Sequence, residues 1–367
     1  MKNFYFLLGK AHDLCFEELK TILGRYGHNP KRITNTIASA EISEDLVDII
    51  HSVSGGVVKI AEELALEKND PELSITNDLS KRKSKVTFCV YSEEKKSFNQ
   101  SIKNTLKEKG VSSRFTSIAS IYDSAQSQQK NYQEYWVIDV NQEKRLFKAL
   151  LFQNIKQWTR RDYGRPANDP RSGMLPPKIA RVMVNMAFDK DEKGVIYDPF
   201  CGSGTILAEA LMLGHGVVGS DISEKAITDT KNNLKWLSEN YNISDKIKVF
   251  EKDVAHTSRG DLGQNIDAIV FEPYMGPPKI QESKIKNMAK GLEKLYIGAL
   301  KNLSTILDSG KKIVLILPQL RSKRIVKSTD NLIDSCENFG YTRQAGPLVY
   351  ERPNSTVVRR IYVLEKN

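Results

Sequence analysis

One octet, Asp-Pro-Phe-Cys-Gly-Ser-Gly-Thr at residues 198–205, constrains the fold more than any other stretch of this sequence. It follows an apolar run at residues 195–197 and precedes a helical pattern, so it joins a strand to a helix. Glycines there let the backbone approach a ligand closely, and the N-terminus of the next helix offers free N–H groups. Because ligands of open α/β sheets bind at the carboxyl ends of the strands, the octet predicts a ligand site at that edge.

The chain after residue 185 alternates short apolar strands with helices, which is typical of a parallel sheet covered on both faces. The two last predicted strands have no long helix between them, so we expect them to pair antiparallel at the end of the sheet. The predicted strands are residues 195–197, 216–220, 247–250, 266–271, 312–317, 341–343 and 356–364, and the predicted helices are 204–213, 224–239 and 283–307.

The chain before residue 159 has a different pattern, with strands and helices that form two small α+β units. Residues 68–85 are polar and contain Pro71, which favours a linker or a long loop. Residues 112–131 are rich in serine and glutamine and predict no clear element.

Composition narrows the functional classes. Lysine and arginine number 55 against 45 acidic residues, and the resulting charge of +10 favours a phosphate-rich partner. The four cysteines lie far apart without a CxxC pair, which argues against a zinc site or a disulfide framework. No apolar run approaches the ~20 residues that span a bilayer. We therefore expect a cytoplasmic protein without a membrane partner or a bound metal.

The octet distinguishes between classes of nucleotide ligand. The GxxxxGK pattern of a phosphate-binding loop is absent, and Leu207 stands where a dinucleotide fingerprint needs its third glycine. The whole octet resembles the first motif of S-adenosylmethionine-dependent methyltransferases that act on amino groups of nucleobases. This resemblance implies that S-adenosylmethionine is the cofactor, bound by Asp198, Phe200, Cys201, Gly202, Gly204 and Thr205.

The same resemblance implies acidic residues at the ends of the next two strands. Asp221, followed by Ile222, stands where a carboxylate takes the ribose hydroxyls of the cofactor. Asp253, followed by Val254, stands where a residue reaches the adenine. The alternative for either aspartate is an N-cap of the following helix.

The fourth strand leads into Glu272-Pro273-Tyr274, where the methyltransferases that it resembles carry Asp or Asn, two prolines and an aromatic residue. A nucleobase amino group is a poor nucleophile because its lone pair is delocalised into the ring. Hydrogen bonds to a side-chain oxygen and a backbone carbonyl favour a pyramidal nitrogen, and a carboxylate also accepts the released proton. An ungapped match puts Met275 in the aromatic place, so either Tyr274 or Met275 contacts the base.

The residues before the octet narrow the resemblance. The segments RRDYGRP at residues 160–166 and GMLPPKIA at 173–180 are similar to the THUMP-containing tRNA guanine-N2 methyltransferases, which modify position 10. The resemblance implies a ferredoxin-like domain at residues 1–67, a THUMP RNA-binding domain at 68–158, a linker at 159–178 and a Rossmann-fold methyltransferase domain at 179–367. It also implies tRNA as partner, and some members of that family need a small zinc-binding activator subunit.

The linker has two interpretations. Met174 and Pro176 would lie beside the methionine moiety of the cofactor, or the prolines would stiffen the linker and begin a helix. The candidate RNA phosphate contacts are Arg160, Arg161 and Arg165, whose alternative is salt bridging between domains.

Three functions follow from these observations. The first is methylation of the guanosine N2 amino group in tRNA, with Glu272 orienting and deprotonating the amine. The second keeps the methyltransferase domain but changes the substrate to adenine or cytosine in DNA or rRNA. The third is a non-catalytic RNA-binding protein that retains the cofactor pocket, because the residues around Glu272 depart from the usual motif.

Overall fold

The computed structural model describes residues 1–92, 98–123, 131–168, 174–243, 247–277, 280–322, 324–352 and 355–367. The chain divides into two compact units, and each unit contains one mixed sheet. The first unit comprises Met1–His12, Gly27–Ser52 and Val57–Gln153, and the second comprises Asp13–Tyr26, Val53–Gly56 and Asn154–Asn367. In the described part of the chain, every helix is too short or too polar to cross a membrane.

Eight strands form the sheet of the first unit, in the order β2-β3-β1-β4-β8-β7-β5-β6. Most neighbours are antiparallel, and β5 pairs parallel with β6 and β7. The strands are β1 (Lys2–Leu8), β2 (Lys31–Arg32), β3 (Ile37–Ile42), β4 (Val57–Leu64), β5 (Val86–Ser92), β6 (Ser113–Phe115), β7 (Tyr132–Val140) and β8 (Glu143–Phe152), and the helices of this part of the chain are α1 (His12–Gly24), α2 (Glu44–Val53), α3 (Pro71–Ser80) and α4 (Asn99–Glu108).

Two features of the first unit differ from the sequence interpretation. Residues 68–85 contain helix α3 rather than only a loop, because Asp70 caps its N-terminus, Pro71 begins it, and Leu79 is buried. The strands of the two predicted N-terminal domains also share one sheet, since β4 pairs with β8. The predicted boundary between residues 67 and 68 therefore does not separate two sheets. Within the Ser- and Gln-rich segment, residues 113–115 form β6, and residues 124–130 lie outside the described residues.

A small part of the N-terminal sequence clusters with the second unit. Glu18 on α1 is fully buried and accepts hydrogen bonds from Gly55 N at 2.8 Å, Gly56 N at 2.7 Å and Asn185 Nδ2 at 2.7 Å. These bonds compensate the burial of its carboxyl group. The sequence predicted these N-terminal residues to lie in a domain of residues 1–67, whereas the structure groups them with residues 154–367.

The second unit has the strand order β11-β10-β9-β12-β13-β16-β15, with β14 pairing the far part of β13. Strands β9 to β13 are parallel, and β16 and β15 are antiparallel at one side, which confirms the predicted Rossmann-like α/β sheet. Its strands are β9 (Val195–Asp198), β10 (Gly216–Asp221), β11 (Ile247–Glu251), β12 (Ala268–Phe271), β13 (Lys312–Arg321), β14 (Val326–Ser328), β15 (Tyr341–Tyr350) and β16 (Val357–Lys366).

The helices of the second unit cover this sheet. Strands β9, β12 and β13 are almost entirely buried, as expected of central parallel strands. The long helix α10 packs its apolar face, including Leu292, Leu300 and Leu303, into the core of this unit. The helices are α5 (Ile155–Tyr163), α6 (Pro177–Met186), α7 (Thr205–Met212), α8 (Glu224–Tyr241), α9 (Arg259–Leu262), α10 (Ile285–Ile306) and α11 (Asn331–Asp334).

Candidate active site

The carboxyl ends of β9, β10 and β12 open onto a cavity of about 1310 Å³ in the second unit. The loop after β9 lines this cavity. Asp198 is 2% exposed and its Oδ1 accepts a hydrogen bond from Phe200 N at 3.0 Å. Burial raises the pKa of the Asp198 carboxyl well above its usual value, while that backbone N–H opposes the shift.

Two glycines set the path of this loop. Gly202 and Gly204 have φ angles of +54° and +82°, in the left-handed region that favours glycine. A Cβ atom on Gly204 would also lie 3.0 Å from Thr230 Cγ2. Helix α7 begins directly after Gly204, so its first N–H groups lie at the cavity, as the octet predicted.

Asp221 lies at the end of β10 and is held by two backbone N–H groups. Its Oδ2 accepts from Gly202 N and its Oδ1 from Ser223 N, each at 3.0 Å. The N-cap of α8 is Ser223, whose Oγ accepts from Ala226 N, so Asp221 is not the cap. Each carboxylate oxygen accepts about two hydrogen bonds, which leaves Asp221 capacity for a ligand. The neighbouring Ile222 is 70% exposed and also lines the cavity.

Asp253 follows β11 and acts as an N-cap, which is the alternative that the sequence left open. Its Oδ1 accepts from Ala255 N at 2.9 Å, so it caps the single 3₁₀ turn Val254–His256. Its side chain is 40% exposed and lines the cavity with Val254, which is buried. Capping uses Oδ1 of the carboxylate, and a contact between Asp253 and adenine is compatible with this geometry. The contact itself stays a prediction.

The segment before α6 meets the cavity at Met174. Its sulfur accepts a hydrogen bond from Arg165 Nη2 at 3.1 Å, and its carbonyl oxygen accepts from Arg352 Nη2 at 2.7 Å. Pro176 is the N-cap of α6 and Pro177 its first residue, as expected of a proline-initiated helix. Met174 lines the cavity, whereas Pro176 does not, and Gly173 lies outside the described residues.

The three arginines predicted to contact RNA phosphates differ in exposure. Arg161 is 5% exposed, and its Nε donates to Glu209 Oε1 at 2.7 Å. Arg165 is 6% exposed and donates to Thr205 Oγ1 at 2.7 Å. Both guanidinium groups therefore stabilise the interior of the second unit, which corrects their prediction as RNA contacts. Arg160 is exposed, donates to Asn240 and stays a candidate RNA contact.

Glu272 lies directly after β12 and turns its carboxylate toward the cavity. Its Oε1 accepts a hydrogen bond from Arg359 Nε at 2.6 Å, and the two side chains are 15% and 9% exposed. Burial raises the pKa of Glu272, and the positive charges of Arg359 and Arg352 oppose the shift. Pro273 is buried beside it, so the backbone at this strand end is stiff.

Arg359 was not predicted from the sequence. It lies 87 residues after Glu272 and reaches it because β16 pairs with β13 beside β12. One sequence feature could have indicated it: Arg359 and Arg360 are two charged residues inside the apolar run of β16. Strand alternation puts such neighbours on opposite faces, and here Arg360 lies 2.7 Å from Asp330 Oδ2.

Tyr274 and Met275 both line the cavity. Tyr274 is 57% exposed, while its carbonyl oxygen accepts a hydrogen bond from the hydroxyl of the buried Tyr296 at 2.6 Å. That hydrogen bond fixes the backbone of the loop and leaves the ring at the cavity mouth. Gly276, with φ of +89°, then turns the chain, and Pro278 lies outside the described residues.

The residues around the cavity fit S-adenosylmethionine. Asp221 offers acceptor capacity to a diol, and the glycine loop leaves room for close backbone approach. A Cβ atom on Gly219 would lie 2.5 Å from Leu207 Cδ1, so α7 packs closely on β10 and its N-terminus is held against the cavity. The acidic side chains of Asp221 and Glu272 in this cavity also favour the positive charge of a sulfonium.

Comparison with known proteins identifies the class of this protein. The family described as DNA methylase matches residues 20–232, and the family described as RMKL-like, methyltransferase domain, matches residues 163–331. A crystal structure from Listeria monocytogenes, described as "a predicted N6-adenine-specific DNA methylase", has a TM-score of 0.54 at 13% identity. That likeness covers 98% of this chain and 96% of the other, and it shows the fold. The fold and the family matches define a Rossmann-fold methyltransferase.

Curated relatives narrow the class. The tRNA (guanine(10)-N2)-dimethyltransferase of Methanocaldococcus jannaschii is 36% identical over 124 residues, which cover 33% of this chain and 34% of that protein. A protein of Methanothermococcus thermolithotrophicus, named as probable for the same activity, is 32% identical over 120 residues, which cover 31% of this chain and 70% of the relative. The chain therefore belongs to the tRNA guanine-N2 methyltransferase family, although it spans only about a third of the first relative's length.

Proposed function

We propose that this protein methylates the exocyclic N2 amino group of a guanosine in tRNA, at position 10, with S-adenosylmethionine as methyl donor. The observation that carries the proposal is the cavity-facing carboxylate of Glu272, in the same cavity as Asp198, Asp221 and Asp253. The names of the curated relatives support the substrate, and the family matches support the reaction class.

The cofactor residues have separate roles in this proposal. S-adenosylmethionine, when bound, supplies an electrophilic methyl group on a sulfonium. Asp221 accepts from the ribose hydroxyls, and Asp253 with Val254 borders the adenine. The loop of Asp198, Phe200, Cys201, Gly202, Gly204 and Thr205 borders the methionine moiety with Met174, while Pro176 begins the helix behind Met174.

Glu272 acts on the amine. Its carboxylate accepts a hydrogen bond from the N2 amino group, and the Pro273 carbonyl accepts the second, so the nitrogen lone pair turns toward the methyl group. The nitrogen forms the new N–C bond, the sulfur keeps the electrons of the broken C–S bond, and one proton leaves the nitrogen. Because burial raises the pKa of Glu272, its carboxylate is a better acceptor for that proton than an exposed glutamate.

The base must leave its stack to reach this cavity. A flipped base is held by stacking on aromatic or apolar side chains. Tyr274 offers an exposed ring at the cavity mouth, and Met275 offers a polarizable sulfur. We therefore propose that one of these two side chains contacts the guanine.

The remaining chain would bind the rest of the tRNA. We propose that residues 1–67 and 68–158 act as ferredoxin-like and THUMP regions, with the linker at 159–178, and that Arg160 contacts phosphate. The +10 net charge supports an RNA partner. We also propose that the protein acts in the cytoplasm and that a small activator subunit binds it.

Incubation of the full chain with unmodified tRNA and radiolabelled S-adenosylmethionine, followed by nucleoside analysis, tests the proposal. We expect label in N2-methylguanosine or its dimethyl form. Isothermal titration with S-adenosylmethionine tests the pocket separately, and an absence of binding would contradict every methyltransferase function. Binding without transfer, even with added activator fractions, would instead favour a non-catalytic RNA-binding protein.

A second candidate is methylation of adenine or cytosine amino groups in DNA or rRNA. The match of the DNA methylase family to residues 20–232 favours it. Label in methyladenosine or methylcytidine, or transfer to duplex DNA, would select this function over the first.

A further inference from the structure

The carboxylate of Glu272 has a rigid cationic partner. Arg359 Nε donates to Glu272 Oε1 at 2.6 Å, and Arg359 lies on β16 opposite Pro318 of β13. The sheet therefore carries the guanidinium, whereas Glu272 begins a loop. A planar guanidinium fixes both the charge and the direction of the carboxylate that it binds.

Other charged or titratable groups surround the pair. Arg352, between β15 and β16, adds a second positive charge, while Asp198 at the end of β9 and Tyr296 on α10 lie within range of the Glu272 charge. Burial is the largest effect on the pKa of Glu272 and raises it, and Arg359 provides the largest opposing effect. Arg359 is therefore the main group that opposes protonation of this buried carboxyl.

An ionised carboxylate only accepts hydrogen bonds. In guanine, the N2 amino group adjoins the N1–H group, so this edge offers two neighbouring donors. In adenine and cytosine, the amino group adjoins an unprotonated ring nitrogen, which is an acceptor. A carboxylate therefore matches the guanine edge with two bonds, but it meets a repelling lone pair on the other two bases.

We propose, on the basis of the proposed function, that Arg359 is a positioning residue that holds Glu272 as an acceptor-only group and thereby selects guanine. The site then requires a base whose amino group adjoins a ring N–H. An amide in the place of Glu272 would offer a donor beside an acceptor, which is the pattern that adenine and cytosine need. The Arg359–Glu272 pair would thus determine specificity as well as orientation.

A base analogue tests the selection. 2-Aminopurine keeps the amino group at C2 but carries no hydrogen on N1. A tRNA with 2-aminopurine in place of the target guanosine should be methylated with a kcat/KM lower by about 10- to 100-fold. Glu272→Gln should narrow that ratio, because its amide donates to the N1 lone pair. Equal kcat/KM values for both tRNAs with the wild-type protein would overturn the selection.

Infrared titration tests the role of Arg359 without relying on transfer. The band of the protonated Glu272 carboxyl is assigned by its loss in Glu272→Gln. In Arg359→Gln this band should persist to higher pH than in the wild type, and the acid limb of kcat/KM should move in the same direction. Arg359→Lys should restore the titration toward the wild type, and Arg360→Gln on the same strand should leave both readouts unchanged. An unchanged titration in Arg359→Gln would overturn the inference.

The two proposals fail in different ways. If the wild-type protein methylates no tRNA, the proposed function fails, and the infrared titration still decides whether Arg359 keeps Glu272 ionised. If N2-methylguanosine forms but 2-aminopurine is accepted equally, the proposed function stands and this inference is wrong.

Discussion

Two buried ion pairs, one from each unit of the protein, differ in what surrounds them. In the first unit, Lys59 and Glu134 are both fully buried and 2.6 Å apart. Lys59 Nζ also donates to the carbonyls of Ile121 and Asp123, and Glu134 accepts from Trp136 Nε1 at 2.7 Å as well. All three protons of the ammonium are used, so this pair is closed.

The pair chosen from the second unit, Arg359 and Glu272, is open to a cavity. Arg359 and Glu272 face a cavity, and Glu272 accepts a single hydrogen bond among the described residues, from Arg359. A carboxylate has capacity for more. Saturated pairs stabilise a fold or specify its packing, whereas a buried carboxylate with unused acceptor capacity at a cavity can bind a ligand. We therefore expect the first pair to contribute to stability and the second pair to contribute to the reaction.

The largest expected effect is on the open pair. Glu272→Ala should lower kcat by roughly 1,000-fold, because it removes both the orienting acceptor and the proton acceptor. The affinity for S-adenosylmethionine, measured by titration, should stay within a few fold, since we propose that Glu272 contacts the base rather than the cofactor. A variant that keeps most of its turnover would contradict the catalytic role.

The closed pair should respond in stability. Lys59→Met leaves Glu134 buried without its cation and should lower the free energy of unfolding by about 3 kcal/mol. The double variant Lys59→Met/Glu134→Gln should recover much of that loss. Turnover per folded molecule should not change. Denaturant unfolding would measure the loss of stability, and titration of the active site would count the folded molecules. A large loss of kcat at full stability would remove the distinction between the two pairs.

Asp221→Ala tests the cofactor side of the cavity. It removes the carboxylate that we assign to the ribose hydroxyls, so the KM for S-adenosylmethionine should rise by about 10- to 100-fold while kcat changes less. Ser223→Ala is the matched control, because it keeps the backbone N–H that binds Asp221 and removes the hydroxyl that caps α8. A rise in KM in the control and not in Asp221→Ala would reverse the assignment.

Two variants at neighbouring positions test which side chain contacts the base. Tyr274→Ala and Met275→Ala each remove one candidate contact, and loss of a stacked ring costs about 1 to 3 kcal/mol. We expect the larger rise in the KM for tRNA from Tyr274→Ala, because its ring is exposed at the cavity mouth. The opposite ranking would assign the contact to Met275.

The smallest expected effect concerns Asp198 and pH. Its folded-state pKa is raised by burial, so between the unfolded and folded pKa values the folded state binds more protons. The contribution of this group to stability therefore falls as pH rises through that window. Asp198→Asn keeps the acceptor for Phe200 N and should raise the melting temperature relative to wild type at pH 8 by about 2 to 4 °C. If the difference in melting temperature between Asp198→Asn and wild type were the same at pH 4 and pH 8, the raised pKa of Asp198 would be contradicted.

Sequence reasoning was most successful where fold and site are local. The strand ends at Asp198, Asp221 and Glu272 follow from short apolar runs and the loops directly after them, so one window of sequence contains each signal. Helix α3 was not predicted because its sequence is mostly polar, although Asp70 and Pro71 are typical of a helix N-terminus. The roles of Arg161, Arg165 and Arg359 could not be predicted, because each depends on a partner far along the chain.

Single-turnover transfer to one tRNA transcript tests the central claim most directly. Wild type and Glu272→Gln would each be given the unmodified transcript and the same transcript with adenosine at position 10, and the nucleosides would be analysed by mass spectrometry. We expect N2-methylguanosine from wild type on the guanosine transcript, and much slower but measurable transfer in the other three reactions. Equal methylation of the adenosine transcript, or a Glu272→Gln variant as fast as wild type, would contradict it.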